Sequence, residues 1–259
     1  MLNHAPQSSS QPVSILGYPV AALTLAQALA AFTSLTQVPG ETLPAQHWVT
    51  ANPEILMLAQ ESPSFSALLR QADRLLPDGI GVVVAMRLHG VPVHRLPGIE
   101  LAEACLAHCA QQRLPVALIG ASPDTHAAML AAVKQRWPSL NVSFQHHGYF
   151  ADGPEADSLA HRCALTRPAL VLVALGMPRQ DAWIAQYRHL FHNSLLMGVG
   201  GSFDVWSGQK QRAPKVFCAL GMEWVWRVAS EPWRLKRIFP TLPLFLWRTV
   251  CERVLLNNG

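Results

Sequence analysis

The sequence predicts an α/β fold: a Rossmann-like parallel sheet covered by helices on both faces, carrying a helical, basic C-terminal appendage. Three observations predict it. From His47 onward, short apolar runs alternate with helical patterns of about ten to fifteen residues, the grammar of βαβ units. The runs Pro115–Gly120 and Ala169–Leu175 are apolar throughout, as strands buried on both faces must be. After Gly208 the pattern changes to helices rich in Arg and Trp. The expected layout is a polar, disordered lead-in over residues 1–12, an α/β catalytic domain over 13–208 and a membrane-associating appendage over 209–259.

The elements follow in order. Leu25, Leu29, Phe32 and Leu35 share one face of an amphipathic helix. Residues 5–40 hold no Asp, Glu, Lys or Arg, yet Thr24, Gln27, Thr33, Ser34, Thr36 and Gln37 interrupt the run, which argues against a membrane span. The uncharged run Ile238–Trp247 is too short to span and holds two prolines. His47–Ala51 reads as a strand, Pro53–Leu69 as helical with a break near Pro63, Arg74–Leu76 as a short strand, and Ile80–Leu88 and Gly98–Gln112 as helices. Beyond strand Pro115–Gly120, Ser122-Pro123-Asp124 opens a helix to Trp137, with Pro at the first helical position. Strand Leu140–Phe144, helix Pro154–Arg167, strand Ala169–Leu175, helix Pro178–Leu190 and strand Ser194–Val199 complete the body.

A chain of 259 residues, half of them apolar, can bury a large core. Its five cysteines form no C-x-x-C pair, and no signal peptide is recognised, which points to a reducing, cytoplasmic setting. The histidines lack a metal-ligand spacing, so zinc is a minority reading. Charge is unevenly spread. Residues 1–204 hold 11 Lys/Arg against 13 Asp/Glu; residues 205–259 hold 9 against 3, together with Trp206, Trp224, Trp226, Trp233 and Trp247. A basic, Trp-rich end suggests an anionic partner at an apolar boundary, since Trp favours membrane interfaces.

Each strand of a parallel sheet delivers its following residues to one rim, where ligands bind. Pro77-Asp78-Gly79 puts a carboxylate there, suited to general-base work or to capping a helix. Thr50 and Asn52 alternate with Ala51 and share one side; Asn52 can serve recognition or cap the next helix. Arg95, in a Pro/Gly-rich loop, can clamp a phosphate or sit solvated. Gly176-Met177-Pro178-Arg179-Gln180-Asp181 offers Gln180 to a ligand, and Gly198 to Asp204, with Gly200 inside it, resembles a phosphate-cradling loop. Neither glycine run matches G-x-G-x-x-G, no G-x-x-x-x-G-K-[ST] occurs, and no D-x-D pair is present to hold a metal–nucleotide-sugar complex. Arg212, Arg227, Arg234 and Arg237 lie in the basic tail, as a solvated surface or, with the interleaved tryptophans, at a membrane boundary.

Thr50-Ala51-Asn52, Pro77 to Gly81, Arg95 to Glu100, Gly176 to Asp181, Gly198 to Asp204, Arg212-Ala213-Pro214 and Gly221 to Arg237, in this order, resemble the WecG/TagA/CpsF glycosyltransferase family. Glu100, Asp181 and Trp226 stand where that family usually has Asp, Glu and Tyr. The resemblance implies inverting, metal-independent transfer of a sugar (N-acetylmannosamine-type or glucose) from a UDP-sugar to a glycan on a polyprenyl diphosphate. It implies Asp78 as base, with Thr50, Asn52, Arg95 and Gln180 around the substrates. It calls for no cofactor, and it implies a peripheral position at the inner face of the cell membrane. A homo-oligomer is compatible with it. The alternative is a non-catalytic scaffold of a polysaccharide-assembly complex. A nucleotide-cofactor oxidoreductase lacks its glycine fingerprint, and no nucleic-acid-binding motif accompanies the basic tail.

Overall fold

The computed structural model describes residues 11–36, 40–214, 216–217, 222–230 and 235–257. Most of the expected lead-in therefore lies outside the described residues. Eight strands form one sheet: β1 (Val13–Ile15), β2 (Tyr18–Val20), β3 (Gln46–Ala51), β4 (Arg74–Pro77), β5 (Pro115–Gly120), β6 (Asn141–His146), β7 (Leu170–Ala174) and β8 (Leu195–Gly198). Their spatial order is β1-β2-β4-β3-β8-β7-β5-β6, antiparallel only in the β1/β2 hairpin and parallel elsewhere. The predicted parallel α/β sheet is present, with a hairpin added at one edge that the sequence reading did not contain.

The helices are α1 (Leu25–Thr36), α2 (Pro53–Glu61), α3 (Pro63–Arg70), α4 (Ile80–Leu88), α5 (Gly98–Gln112), α6 (Pro123–Arg136), α7 (Pro154–Leu165), α8 (Arg179–Tyr187), α9 (Ser202–Trp206), α10 (Glu223–Ser230) and α11 (Leu235–Asn257). Local chemistry sets many of their starts. Asn52, Ser62 and Ser122 accept hydrogen bonds from the backbones of Ile55, Phe65 and Thr125, and a proline follows each cap. These side-chain acceptors satisfy amides that the first helical turn leaves open.

The helices divide between the two faces. On one, Phe32 of α1, Leu101 and Cys105 of α5, Met129 of α6 and Phe203 of α9 pack on Trp48, Leu118, Leu172 and Met197. On the other, Leu56 of α2, Leu69 of α3, Val82 of α4 and Phe245 of α11 cover Val49 and Leu75, while Leu159 of α7 and Ile184 of α8 cover Val171 and Leu196. Each fully buried aliphatic side chain of this kind contributes about 1.5–3 kcal/mol. The amphipathic reading of α1 holds for Phe32 and Leu35, but Leu25 is exposed at the helix start.

Neighbouring strands β3 and β8 send their following helices, α2 and α9, to opposite faces. A crevice opens where adjacent strands diverge in this way, outside their carboxyl ends.

Candidate functional site

The divergence at β3 and β8 produces a cleft of about 1040 Å³ across the carboxyl ends of the parallel strands. Thr50, Asn52, Asp78, Arg95, Gln180, Gly200 and Arg212 all line it. Arg234 lies outside the described residues, as do the side chains of Arg227 and Arg237.

Asp78 is placed by strand pairing. Ala51 of β3 pairs with Pro77 of β4, so Asn52 and Asp78 follow on the next rung, just past the strand ends. The amide of Asp78 donates to the Ala51 carbonyl at 3.0 Å. The N-cap position of α4 is Gly79 rather than Asp78. Its carboxylate is half-buried on the cleft wall. Asn52 does cap: its Oδ1 accepts from Ile55 at 3.0 Å, which leaves its NH2 group as a donor on the same wall. Close packing joins these walls, since a Cβ on Gly81 would lie 2.6 Å from Pro53 and 3.0 Å from Leu242 of α11.

Across the crevice, Gly176 and the cis Met177–Pro178 peptide lead into α8. Gln180 is buried, and its Oε1 accepts from the Gly200 amide at 3.1 Å. Gly198 leaves room for that side chain: a Cβ there would stand 2.3 Å from Gln180 Nε2. Asp181, beside Gln180 in sequence, turns inward and lies 3.4 Å from His47 Nε2, with both side chains 1% exposed. Arg179 pins the loop after β6, donating to the carbonyls of Gly148 and Phe150 at 3.1 and 2.7 Å and to Asp152 at 3.2 Å.

Neither described arginine is a solvated loop cation. Arg95 Nη2 donates to Glu223 of α10 at 2.9 Å, the two side chains being 14% and 11% exposed. Arg212 donates to Glu100 in the first turn of α5. One pair has its cation on the body and the other has it on the C-terminal segment, so the two ion pairs tie that segment to the cleft. Glu223, Trp226 and the exposed Tyr149 also line the cleft but were absent from the candidates read in the sequence. Only the Gly221-Met222-Glu223-Trp224 motif hinted at Glu223.

Other polar and sulfur groups fall away from the chemistry. Cys105, Cys109 and Cys163 are buried thiols; burial pushes each up, Cys109 to about 12, so none ionises near neutrality. Cys218 lies outside the described residues. Burial also lowers the pKa of His126 below its ordinary value. Its neutral ring donates through Nδ1 to the Gly120 carbonyl at 3.0 Å. Among the described residues, no group of three His, Cys, Asp or Glu side chains is placed to share a metal ion. The tryptophans of the C-terminal quarter divide as well. Trp206 belongs to the body, where it packs on the core and its indole donates to Glu103 at 3.0 Å. Trp247 is 67% exposed.

A three-layer α/β body in which a carboxylate, two amide side chains and two arginines line one strand-end cleft has the architecture of an α/β protein with its ligand site at a topological switch point. The chain belongs to the glycosyl transferase WecG/TagA/CpsF family, whose model matches residues 13–259, and it is a glycosyltransferase. It is 38% identical over 203 residues to the N-acetylglucosaminyldiphosphoundecaprenol N-acetyl-beta-D-mannosaminyltransferases of Staphylococcus aureus strains MW2 and NCTC 8325 / PS 47. Each match covers 77% of this chain and 78% of the relative.

Proposed function

We propose that this enzyme transfers a sugar from a UDP-sugar to a glycan on a polyprenyl diphosphate, with inversion and without a metal ion. The observation that carries the reading is the place of Asp78: a carboxylate beside Asn52 on the rim of a cleft large enough for two substrates. In the transfer, the acceptor hydroxyl gives its proton to the Asp78 carboxylate as its oxygen bonds to the donor's anomeric carbon. The bond from that carbon to the β-phosphate breaks, and UDP leaves with the electron pair. Thr50 and Asn52 orient the acceptor sugar, and Gln180 with the Gly200 loop holds the donor.

Two features support independence from a metal: the sequence has no D-x-D pair, and arginines are available to stabilise a departing diphosphate in its place. Arg95 and Arg212 stand in the cleft, with Arg227, Arg234 and Arg237 further along the chain. The staphylococcal relatives are named for an N-acetyl-β-D-mannosaminyl product on a diphosphoundecaprenol-linked sugar. A β product is the anomer that inversion of an α-linked UDP-sugar gives. That name also favours an N-acetylmannosamine-type donor over glucose. The C-terminal segment works at the inner face of the cell membrane, where such an acceptor resides.

The test is UDP release across a panel of UDP-sugars, with and without a short-chain polyprenyl-diphosphate acceptor. Acceptor-dependent release with one donor is expected; silence from folded, full-length protein across a panel of acceptors counts against the reading. Asp78→Asn should keep its unfolding midpoint and lose transfer by roughly a hundredfold or more. Near-normal turnover in that variant removes Asp78 as the base.

A further inference from the structure

Four residues of α10 line the cleft, Glu223, Trp224, Trp226 and Ser230, and three of them, Glu223, Trp226 and Ser230, recur at i, i+3 and i+7 on one side of the helix. Its position is set at one end by the ion pair of Glu223 with Arg95. The Trp226 ring is also held by Phe217, whose ring lies 5.7 Å away at a tilt of 56°. In the unliganded cleft its Nε1 is shielded from solvent and has no hydrogen-bond partner among the described residues.

That condition is costly. A buried donor left without an acceptor gives up its hydration and gains no bond in return. Two other indoles among the described residues avoid it: Trp48 donates to Gln46 at 2.8 Å and Trp206 to Glu103 at 3.0 Å. Trp183 also lacks a partner, but it sits in the apolar core and does not line the cleft. Of this pair, Trp226 is the one that lines the cleft, where a turn of its side chain on substrate binding would bring Nε1 to an acceptor.

We infer that the Trp226 indole N–H donates a hydrogen bond to a diphosphate oxygen of bound substrate, an inference that rests on the proposed glycosyl transfer. Indole nitrogen is a donor only, so its partner must be an acceptor. Diphosphate oxygens are acceptors only and anionic, which makes the bond charge-assisted. Arg95 and Arg212, each paired with a glutamate, line the same cleft. Two substrates carry this chemistry, the UDP-sugar and the polyprenyl-diphosphate acceptor. A tyrosine hydroxyl on the same helix could make an equivalent bond.

The test compares Trp226→Phe, which keeps a ring and removes the donor, with Trp226→Tyr, which restores one. UDP affinity is read by calorimetry, and kcat and KM for the acceptor by UDP release, in full-length protein with matched thermal midpoints. We expect Trp226→Phe to weaken binding roughly tenfold or more, and Trp226→Tyr to recover most of it. A loss in UDP affinity assigns the bond to the donor. Unchanged UDP affinity with a raised acceptor KM assigns it to the lipid diphosphate. Equal losses in both variants would mean ring packing alone and overturn the inference, as would a Trp226→Phe enzyme equal to wild type. Wild-type protein that neither binds UDP nor releases it with any donor fails the transfer reading itself, and the inference with it.

Discussion

Gln180 shows how a single side chain depends on the absence of another. It is held by the Gly200 amide, and it fits because Gly198 has no Cβ. Gly198→Ala would set a methyl carbon 2.3 Å from Nε2 and 2.7 Å from Cδ, so Gln180 must leave its place. Overpacking of this kind costs about 1–3 kcal/mol of stability. We expect kcat/KM to fall by at least about tenfold, with a modest drop in thermal midpoint. Gln180→Ala should give a similar loss, and the double variant little more than either, because both act through one contact. Fully additive losses in kcat/KM would show that Gly198 acts on something other than Gln180.

At the scale of elements, the C-terminal helix is joined to the opposite end of the chain. Glu252 of α11 accepts from the amides of Leu16 at 2.7 Å and Gly17 at 3.1 Å, the two residues of the β1/β2 turn. Both have positive φ, 51° and 77°, as a two-residue hairpin turn requires. Glu252→Ala should lower stability by about 1–2 kcal/mol, read as a shift in urea midpoint, since two charge-assisted bonds are exchanged for water. An unchanged midpoint would mean that the hairpin holds without the carboxylate. The same contact explains why this element was not legible in the sequence. Val13 to Val20 carries Leu16-Gly17 where a local hairpin signal is Asn-Gly, and its anchor lies more than two hundred residues away. Elements whose cause is local were legible: α2, α3 and α6 begin at Asn52, Ser62 and Ser122, each followed by proline. The rim was legible in the same way, because a parallel sheet brings Thr50, Asp78, Gln180 and Gly200 to one side whatever its strand order. The partners of Arg95 and Arg212 were not, because Glu223 and Glu100 meet them only through tertiary packing across the cleft.

The whole molecule presents one surface that the body does not use. Along α11, Phe245 and Thr249 are fully buried against the body, and Glu252 continues that side. Leu244, Trp247, Val250 and Val254 recur at three- and four-residue steps and are exposed, Trp247 by 67% and Val254 by 52%. Among the described residues, no helix is long and apolar enough to cross a membrane. An apolar helical stripe fixed to a folded body, in a segment with 9 Lys/Arg against 3 Asp/Glu, suits a helix lying in the plane of an anionic bilayer. It would hold the cleft beside a lipid-borne acceptor, because Leu242 of the same helix lines that cleft. Each basic residue near such a surface adds about 1 kcal/mol of attraction, screened by salt. Flotation with vesicles should therefore show binding to anionic bilayers that weakens as salt rises. The double variant Trp247→Glu, Val254→Glu should bind roughly tenfold or more weakly, because it removes apolar area and adds two like-charge repulsions. Its unfolding midpoint should stay near wild type, since both side chains face solvent. Turnover should fall on vesicle-embedded acceptor and persist on a short-chain, water-soluble one. Equal flotation of the variant and wild type would leave the stripe without this role; equal losses on both acceptors would place the defect in the cleft.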